Sequence, residues 1–321
     1  MLSSADVKRA ARAAGADLCG IASMDRFEGA PKQQDPRYIF PRAKACAVLA
    51  FRIPRGYLRG IEEGTYFAAY TSMGYGGLNQ VYMPVVLREL TCFIEDHGYE
   101  CAPIPNHYPG TSISFATQQV TARSRAVREG YPIPDILVDF RVAAFAAGLG
   151  EFGWSKLFLT PEFGPAQRFV ALLTDAPLEP DPLFEGKLCD KCMKCVAECS
   201  ADAISRTESD SITVAGRTIE WGRLDTQKCS IGYRGGNAEY NPFMRPGTDE
   251  EQYKDEYCGG ATLAKACGYG STYGHNPAVE GARGCMRACL IHLEEKGALK
   301  RSFVHKFRER KPWKLPVQAP G

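Results

Sequence analysis

One short stretch of the chain constrains its chemistry more than any other. It reads Cys189-Asp-Lys-Cys192-Met-Lys-Cys195-Val-Ala-Glu-Cys199, which is a C-x2-C-x2-C-x3-C spacing. Cysteines spaced in this way bind iron–sulfur clusters, the first three holding one cluster and the fourth ligating a second. A zinc ribbon instead uses separated C-x2-C pairs. We therefore expect an iron–sulfur cluster here, although Ser200 stands where a proline usually follows the fourth cysteine.

Cysteines further along the chain are candidates for the remaining ligands. Cys289 closes a C-x3-C pair near the end of the chain and is predicted to complete the first cluster. By the same two-cluster logic, Cys199, Cys229 and Cys285 share the second cluster. The sequence thus predicts two [4Fe–4S] clusters, the second of which still lacks one ligand.

The fourth ligand of the second cluster is not at its usual place. That position is occupied by Ala282. We expect Cys267 to take over, because its glycine-rich surroundings allow a close approach of the backbone. Cys258, a non-cysteine ligand, a three-iron cluster and the lack of a second cluster remain open alternatives. The other four cysteines lie in apolar contexts and are predicted to be buried structural thiols: Cys19, Cys46, Cys92 and Cys101.

Composition supports metal chemistry over disulfides. The chain has 321 residues and thirteen cysteines, yet it begins with polar residues and has no secretory or twin-arginine signal. We expect a cytoplasmic protein, in which clustered cysteines point to metal binding. The net charge of +2 disfavours nucleic acid as a partner. The sequence contains no run of 18 apolar residues, so we predict no membrane span.

The order of apolar patterns predicts a mixed α/β (α+β) fold. Four helices are predicted: Ser4 to Ala14, Leu78 to His97, Ala116 to Arg128 and Ile136 to Ala147. Five strands are predicted: Leu18–Ala22, Ala45–Phe51, Tyr99–Ile104, Leu157–Thr160 and Phe169–Leu173. Three prolines within residues 177–183 indicate a boundary. We predict domains over residues 1–184 and 185–299, followed by a basic tail over 300–321; the second domain contains a hairpin at 211–221.

A glycine-rich segment precedes the boundary. Gly148, Gly150 and Gly153 match the G-x-G-x-x-G pattern of dinucleotide-binding proteins. In those proteins the motif follows a strand and opens a helix, whereas here a predicted helix precedes it and a predicted strand follows. The glycines therefore either end a helix and make a turn, or let the backbone approach a flat cofactor.

Several motifs together carry a family resemblance. Ala147-Gly-Leu-Gly-Glu-Phe-Gly153, Leu159-Thr-Pro-Glu-Phe-Gly164 and Leu173-Thr-Asp-Ala-Pro-Leu178, followed by the cysteine run, resemble the reductive dehalogenase and epoxyqueuosine reductase superfamily. The resemblance implies a nitroreductase-like core that binds cobalamin, without a protein ligand to cobalt, and a ferredoxin-like domain with two [4Fe–4S] clusters. By this resemblance the cobalamin contacts are Gly148, Leu149, Gly150, Gly153, Thr160, Phe163 and Gly164.

The sequence also departs from both named branches. It lacks the twin-arginine signal and the length of exported dehalogenases, and Pro134 stands where epoxyqueuosine reductases carry an acidic proton donor. We expect a third, divergent branch with an unidentified substrate. Candidate catalytic residues are Tyr108, which follows His107 in a predicted loop, and the pair Asp139 and Arg141; a plain loop and a surface ion pair are the structural alternatives.

These observations favour a cytoplasmic oxidoreductase that passes electrons from two clusters to cobalamin and so reduces a small organic substrate. Reduced ferredoxin or flavodoxin is the expected electron donor, which the basic tail would attract; a solvated terminal segment is the alternative for the tail. Two rival functions remain open. One is an electron-transfer protein or activator of a separate corrinoid protein, and the other is a flavin enzyme on the same core.

Overall fold

The computed structural model is described for residues 2–106, 124–233, 235–242, 244, 247, 249, 251 and 282–316. Helices and strands alternate through the first half, as predicted. The elements there are α1 (Ser4–Ala14), β1 (Leu18–Ser23), β2 (Ala45–Arg52), α2 (Arg55–Glu63), α3 (Met83–Glu95), β3 (Cys101–Ile104), α4 (Phe140–Ala146), β4 (Glu151–Phe152), β5 (Phe158–Leu159) and β6 (Gln167–Thr174).

A four-stranded antiparallel sheet forms the centre of the first half. Its strand order is β1-β2-β6-β3. Strand β2 is buried along all but its last residue, and its side chains alternate between two cores. Leu49 and Phe51 face a core shared with α1 and α3, while Cys46 and Val48 face a core shared with α4. An apolar strand without polar alternation is expected when both faces of a sheet are covered.

Capping residues fix the start of two helices. Helix α1 begins at Ser4, as predicted, and its N-cap is Ser3: the Ser3 hydroxyl accepts the backbone N–H of Asp6, and the Asp6 carboxylate accepts that of Ser3. Helix α4 starts four residues later than predicted because Asp139 caps it, accepting the N–H groups of Arg141 and Val142. At the other end of α1, Gly15 makes the predicted left-handed stop with φ 118°.

The predicted long helix of residues 78–97 is divided. Residues 69–82 form π-helical turns, and the α-helical part begins at Met83 with Pro84 in its first turn. Of the helix predicted for 116–128, residues 116–123 lie outside the described residues and 124–128 are not helical.

The described residues of the second half form fewer helices and strands than those of the first half. It contains α5 (Lys194–Ala197), β7 (Ile204–Val214), β8 (Arg217–Leu224), α6 (Thr226–Tyr233) and α7 (Cys285–Glu295). Strands β7 and β8 confirm the predicted hairpin and extend it on both sides. Ala215 and Gly216 form its turn with φ 50° and 74°, which matches the twist of a two-residue hairpin.

The basic C-terminal segment, residues 300–316, is part of the folded body. Phe307 is 2% exposed, and the indole of Trp313 donates to the carbonyl of Ile61 in α2 at 2.9 Å. Most of its cations pair with carboxylates: Lys300 with Glu162, Arg308 with Glu62, Arg310 with Glu63 and Lys314 with Glu239. The segment therefore presents less free positive charge than the sequence suggested.

Within the described part of the chain, no helix combines the length and the apolar character that crossing a membrane requires.

Candidate iron–sulfur and reduction sites

Four cysteines predicted to bind the first cluster line a single pocket. The pocket is bordered by Cys189, Cys192, Cys195 and Cys289. Trp154 and further residues of the cysteine run also line it. Cys192 is exposed, whereas Cys195 is buried. Helix α5 packs against α7, which brings the last of these cysteines next to the first three. Thiols from both ends of the domain therefore meet as the two-cluster spacing predicts.

The backbone of the cysteine loop turns sharply around this pocket. Lys191 and Met193 have φ values of 54° and 60°, in the left-handed region that residues with a side chain rarely adopt. Because each cysteine is separated from the next by two residues, these turns aim successive thiols toward the same space. Such strain concentrates at functional sites and is held by the surrounding structure.

The glycine-rich segment contributes one wall of the pocket. The backbone N–H of Trp154 donates to Sγ of Cys189 at 3.3 Å. A carboxylate oxygen of Glu151 accepts the N–H groups of Leu188 and Cys189 at 2.6 and 2.7 Å. Strand β4 thereby fixes the start of the cysteine run, and the N–H···S bond is of the kind that tunes cluster potentials.

A polar clamp closes the other side of the pocket. The Asp190 carboxylate accepts hydrogen bonds from Lys296 at 2.8 Å and His292 at 3.0 Å, both from α7 or the turn after it. These two donors hold the pKa of Asp190 well below its usual range. Side-chain ligand atoms of Asp190, Cys192 and His292 lie within 4.8 Å of one another. The clamp joins the loop to α7 next to the exposed thiol.

The pocket environment fits a multi-iron cluster better than four free thiols. Burial, together with the neighbouring Cys189 and Cys192, raises the pKa of Cys195 to about 11. Burial followed by the same neighbours raises that of Cys289 further. Binding of a metal centre requires the thiolate form, so a cluster at this pocket releases these protons and its positive iron atoms stabilise the anionic sulfurs. The residues present therefore fit a [4Fe–4S] cluster.

The described cysteines that are predicted to bind the second cluster lie on segments that pack together. Cys199 and Cys285 contact the same buried group, which includes Cys195 and Ile204. The helix of Cys229, α6, lies against the residues after Cys199, because a Cβ on Gly232 would sit 2.6 Å from Ala201. Ala282, at the usual ligand position, is buried. Both candidates for the missing ligand, Cys258 and Cys267, lie outside the described residues.

Two of the predicted cobalamin contacts have structural reasons to be glycine. A Cβ on Gly148 would lie 2.1 Å from the carbonyl oxygen of Pro182, and one on Gly150 would lie 1.9 Å from that of Leu159. The chain itself fills the space that each missing side chain leaves. Close packing within the chain therefore explains the glycines at positions 148 and 150, and contact of Gly148, Leu149, Gly150 and Gly153 with cobalamin stays a prediction.

The other predicted cofactor residues form a buried turn. The Thr160 hydroxyl donates to Gln167 at 3.1 Å and accepts the N–H of Phe163 at 3.2 Å. Thr160 and Gly164 are paired by backbone hydrogen bonds, and a Cβ on Gly164 would touch Leu293 of α7. The turn thus connects the sheet domain to the helix that carries the last two cysteines.

The predicted catalytic pair is engaged in local contacts. Besides capping α4, Asp139 lies 3.6 Å from Nε of Arg141. Arg141 also donates to the carbonyl of Lys156 at 3.0 Å. The third candidate, Tyr108, lies outside the described residues, as does His107.

Sequence reasoning missed a cation surrounded by phenols. Arg168 of β6 donates to the Tyr70 hydroxyl and the Gly74 carbonyl, each at 3.2 Å, and its guanidinium lies 4.4 Å from the ring centre of Tyr75. Tyr233 of α6 packs against Tyr75. Burial, then Tyr75 and Tyr70, raises the pKa of Tyr233 well above its usual range, so its phenol is protonated at neutral pH.

No carboxylate among the described residues pairs with Arg168, which makes it a candidate site for an anionic group. The signal in the sequence that could have identified this site is an arginine at the start of a mostly apolar strand. The signal became interpretable only with the tyrosines, which lie about 65 to 100 residues away on other elements.

Comparisons with known proteins agree with these features. No family model matches the chain. A tetrachloroethene reductive dehalogenase from Sulfurospirillum multivorans is 38% identical over 265 residues, which are 71% of this chain and 46% of that protein. An epoxyqueuosine reductase from Bacillus cereus is 30% identical over 204 residues, which are 62% of this chain and 42% of that protein. The chain spans less than half the length of either relative.

A solved structure shares the fold. It is a reductive dehalogenase, and the structure suggests a mechanism for B12-dependent dehalogenation. It matches with a TM-score of 0.50 and 18% identity over 96% of this chain and 39% of that chain. The match shows the same mixed arrangement of helices and strands, in agreement with the fold class predicted from the sequence.

Proposed function

Because the chain belongs to the superfamily that contains reductive dehalogenases and epoxyqueuosine reductases, we propose that it is a cytoplasmic iron–sulfur reductase of that kind. Two [4Fe–4S] clusters deliver electrons for the reduction of a small organic substrate, and cobalamin is the second cofactor. The observation that supports this most is the meeting of Cys189, Cys192, Cys195 and Cys289 at one pocket. The B12-dependent relative supports the cobalamin part of the proposal.

The residues of the chain divide the work. Cobalamin supplies a strongly reducing cobalt when bound. The four cysteines hold the first cluster, and the Trp154 N–H and the Asp190 clamp orient its ligands. Positions 148 and 150 serve the fold, since the chain fills the space beside them.

We place substrate reduction beside Arg168. Its guanidinium holds an anionic group of the substrate or the anion that leaves, while a neighbouring phenol supplies the proton that reduction requires. Tyr70, Tyr75 and Tyr233 are the described phenols around Arg168. Tyr108 stays a predicted donor.

A metal count tests the cofactor proposal. After anaerobic reconstitution with iron, sulfide and cobalamin, we expect about eight iron atoms and about one cobalt atom per chain. The Cys289→Ala variant loses about four iron atoms, whereas Cys92→Ala, a cysteine of α3 outside both sites, retains the full count. Full iron without bound cobalt contradicts the cobalamin enzyme and favours an electron-transfer protein, while a flavin absorption band after denaturation favours the flavin alternative.

The Arg168→Gln variant tests the reduction site. With titanium(III) citrate as reductant and a panel of chlorinated alkenes and phenols as substrates, we expect turnover to fall about 100-fold or more. Arg52→Gln, at an exposed arginine beside the same sheet, is the control and retains activity. Iron content is measured in parallel; an Arg168→Gln protein with full iron and full turnover would remove the Arg168 site from the proposal.

The exposure of one thiol indicates where an electron donor would approach. Cys192 is exposed, so the first cluster is the one nearer to an external donor such as reduced ferredoxin or flavodoxin. The paired cations of the C-terminal segment favour a docking surface other than that segment. That nucleic acid is not a partner stays a prediction, since epoxyqueuosine reductases are among the relatives.

A further inference from the structure

One tryptophan lies between the pocket of the first cluster and the hairpin of β7 and β8. Trp154 directly follows the glycine-rich segment and lines the pocket. Only 7% of it is exposed, and it packs in one buried group with Cys195, Val196 and Ile204. Cys189 lies against the same group. The indole therefore fills space beside two of the predicted ligands that water would otherwise enter.

The hairpin holds the indole in place. Its Nε1–H donates to the carbonyl of Ser205 at 2.9 Å, and the backbone N–H of Gly222 donates to the carbonyl of Trp154 at 2.8 Å. A Cβ on Gly222 would lie 2.5 Å from Nε1, so glycine allows this close approach. The polar edge of the indole is thus satisfied by the hairpin, while the hydrogen bond to Sγ of Cys189 comes from the backbone of Trp154.

An ion pair covers the ring on the side that solvent reaches. Nζ of Lys191 lies 4.7 Å from the ring centre of Trp154 and donates to the Glu220 carboxylate of β8 at 2.6 Å. Both charged side chains are about half exposed. Removing the ring is therefore expected to open a path for water from this ion pair toward the buried thiol of Cys195.

Water access changes the balance between the two oxidation states of a cluster. Each thiolate carries a negative charge, so a cubane held by four cysteines is an anion, and reduction adds a further negative charge. Water stabilises the more highly charged ion, so solvent access favours the reduced form and raises the reduction potential. An apolar side chain that excludes water has the opposite effect.

We propose that Trp154 shields the first cluster from water and thereby lowers its reduction potential, which makes the reduced cluster a stronger electron donor. Trp154 is a positioning residue in this proposal, since its side chain is not a ligand. Its indole acts by excluding water, because its only N–H is bonded to Ser205. The effect on the potential rests on the proposed function, because it requires that this cluster forms.

Thiol alkylation of the metal-free full chain tests the shield without any cluster. The chain is treated with iodoacetamide, and modification of Cys195 is followed by peptide mass spectrometry. We expect Trp154→Ala to react about 10-fold faster than the wild type, because exposure controls thiol reactivity. Trp154→Phe keeps an apolar ring and reacts at the wild-type rate. Equal rates for Trp154→Ala and the wild type would overturn the proposal.

A redox titration of the reconstituted full chain, followed by electron paramagnetic resonance, tests the effect on the first cluster. At a fixed solution potential we expect Trp154→Ala to raise the ratio of reduced to oxidised cluster about 10-fold, an upward shift of about 59 mV for a one-electron couple. Trp154→Phe keeps the wild-type potential. If the alanine variant loses iron, Trp154→Leu, with a smaller apolar side chain, takes its place. An unchanged or lowered potential contradicts the proposal.

A matched control and the metal-free measurement separate the possible failures. Trp313→Ala removes an indole that donates to Ile61 of α2 instead, and it leaves both the alkylation of Cys195 and the potential of the first cluster unchanged. A wild-type chain that binds no iron after reconstitution contradicts the proposed function. The alkylation rates still decide in that case whether Trp154 shields the pocket.

Discussion

At the scale of single residues, Thr160 shows how a residue predicted to contact a cofactor serves the fold. Its hydroxyl links Gln167 and the N–H of Phe163, and it is completely buried. We expect Thr160→Val, which keeps the shape but leaves two buried polar groups unpaired, to lower the free energy of unfolding by about 1–3 kcal/mol. Urea unfolding of the purified chain measures this.

Thr213→Val is the matched control for that experiment. Thr213 is an exposed residue of β7 whose hydroxyl contacts that of Thr218. Its replacement is expected to change stability by no more than about 0.5 kcal/mol. Equal effects of the two substitutions would show that the Thr160 hydroxyl contributes nothing specific.

Residues differ in how well the sequence predicts their roles. The meeting of four cysteines at one pocket was predictable because the spacing of Cys189, Cys192 and Cys195 encodes a local loop, and only Cys289 had to come from elsewhere. Arg168 was not recognised, because its partners Tyr70, Tyr75 and Tyr233 are brought to it by packing between elements. Spacing along the chain carries no record of such contacts.

At the scale of elements, the hairpin of β4 and β5 depends on a glycine. Any side chain at position 150 would collide with the carbonyl of Leu159. We expect Gly150→Ala to lower the free energy of unfolding by about 2–4 kcal/mol, because the two short strands must separate. Since β4 also fixes the cysteine run through Glu151, iron retention should fall as well.

Gly56→Ala provides the comparison. Gly56 lies in the first turn of α2 with open space around it. Alanine favours helix over glycine, so this substitution should raise stability by up to about 1 kcal/mol. A Gly150→Ala protein as stable as the wild type would mean that the segment is glycine-rich for a reason other than close packing.

Elements with a strong local signal were predicted well. The strands β1, β2 and β6 and the hairpin of β7 and β8 were found because apolar runs and turn residues mark them. The boundaries of α3 and α4 were wrong, since residues 69–82 adopt π-helical turns and Asp139 caps α4. Both features depend on details of backbone hydrogen bonding that apolar periodicity does not report.

At the scale of the whole molecule, the C-terminal segment joins the two halves. Phe307 and Trp313 pack against the first core, while Arg308 reaches Glu198 in the cysteine domain. Removing residues 303–321 should lower the free energy of unfolding by about 3–6 kcal/mol, at about 1.5–3 kcal/mol for each aromatic side chain. Urea unfolding of the two lengths of chain measures this.

A shorter truncation separates burial from length. Stopping the chain after Pro316 removes five residues but keeps both aromatic residues, and it should leave stability unchanged. If the two truncations behave alike, the packing of Phe307 and Trp313 against α2 does not support the fold.

The separation of the first cluster's ligands along the chain has a consequence during synthesis. Cys289 follows Cys195 by 94 residues, so a ribosome adding about 5–20 residues per second needs roughly 5–19 s to make the interval. During that time a nascent chain offers only three of the four thiols. If the cluster forms as proposed, its site is completed only after translation has passed α7, and until then the three thiols need protection from stray metals and oxygen.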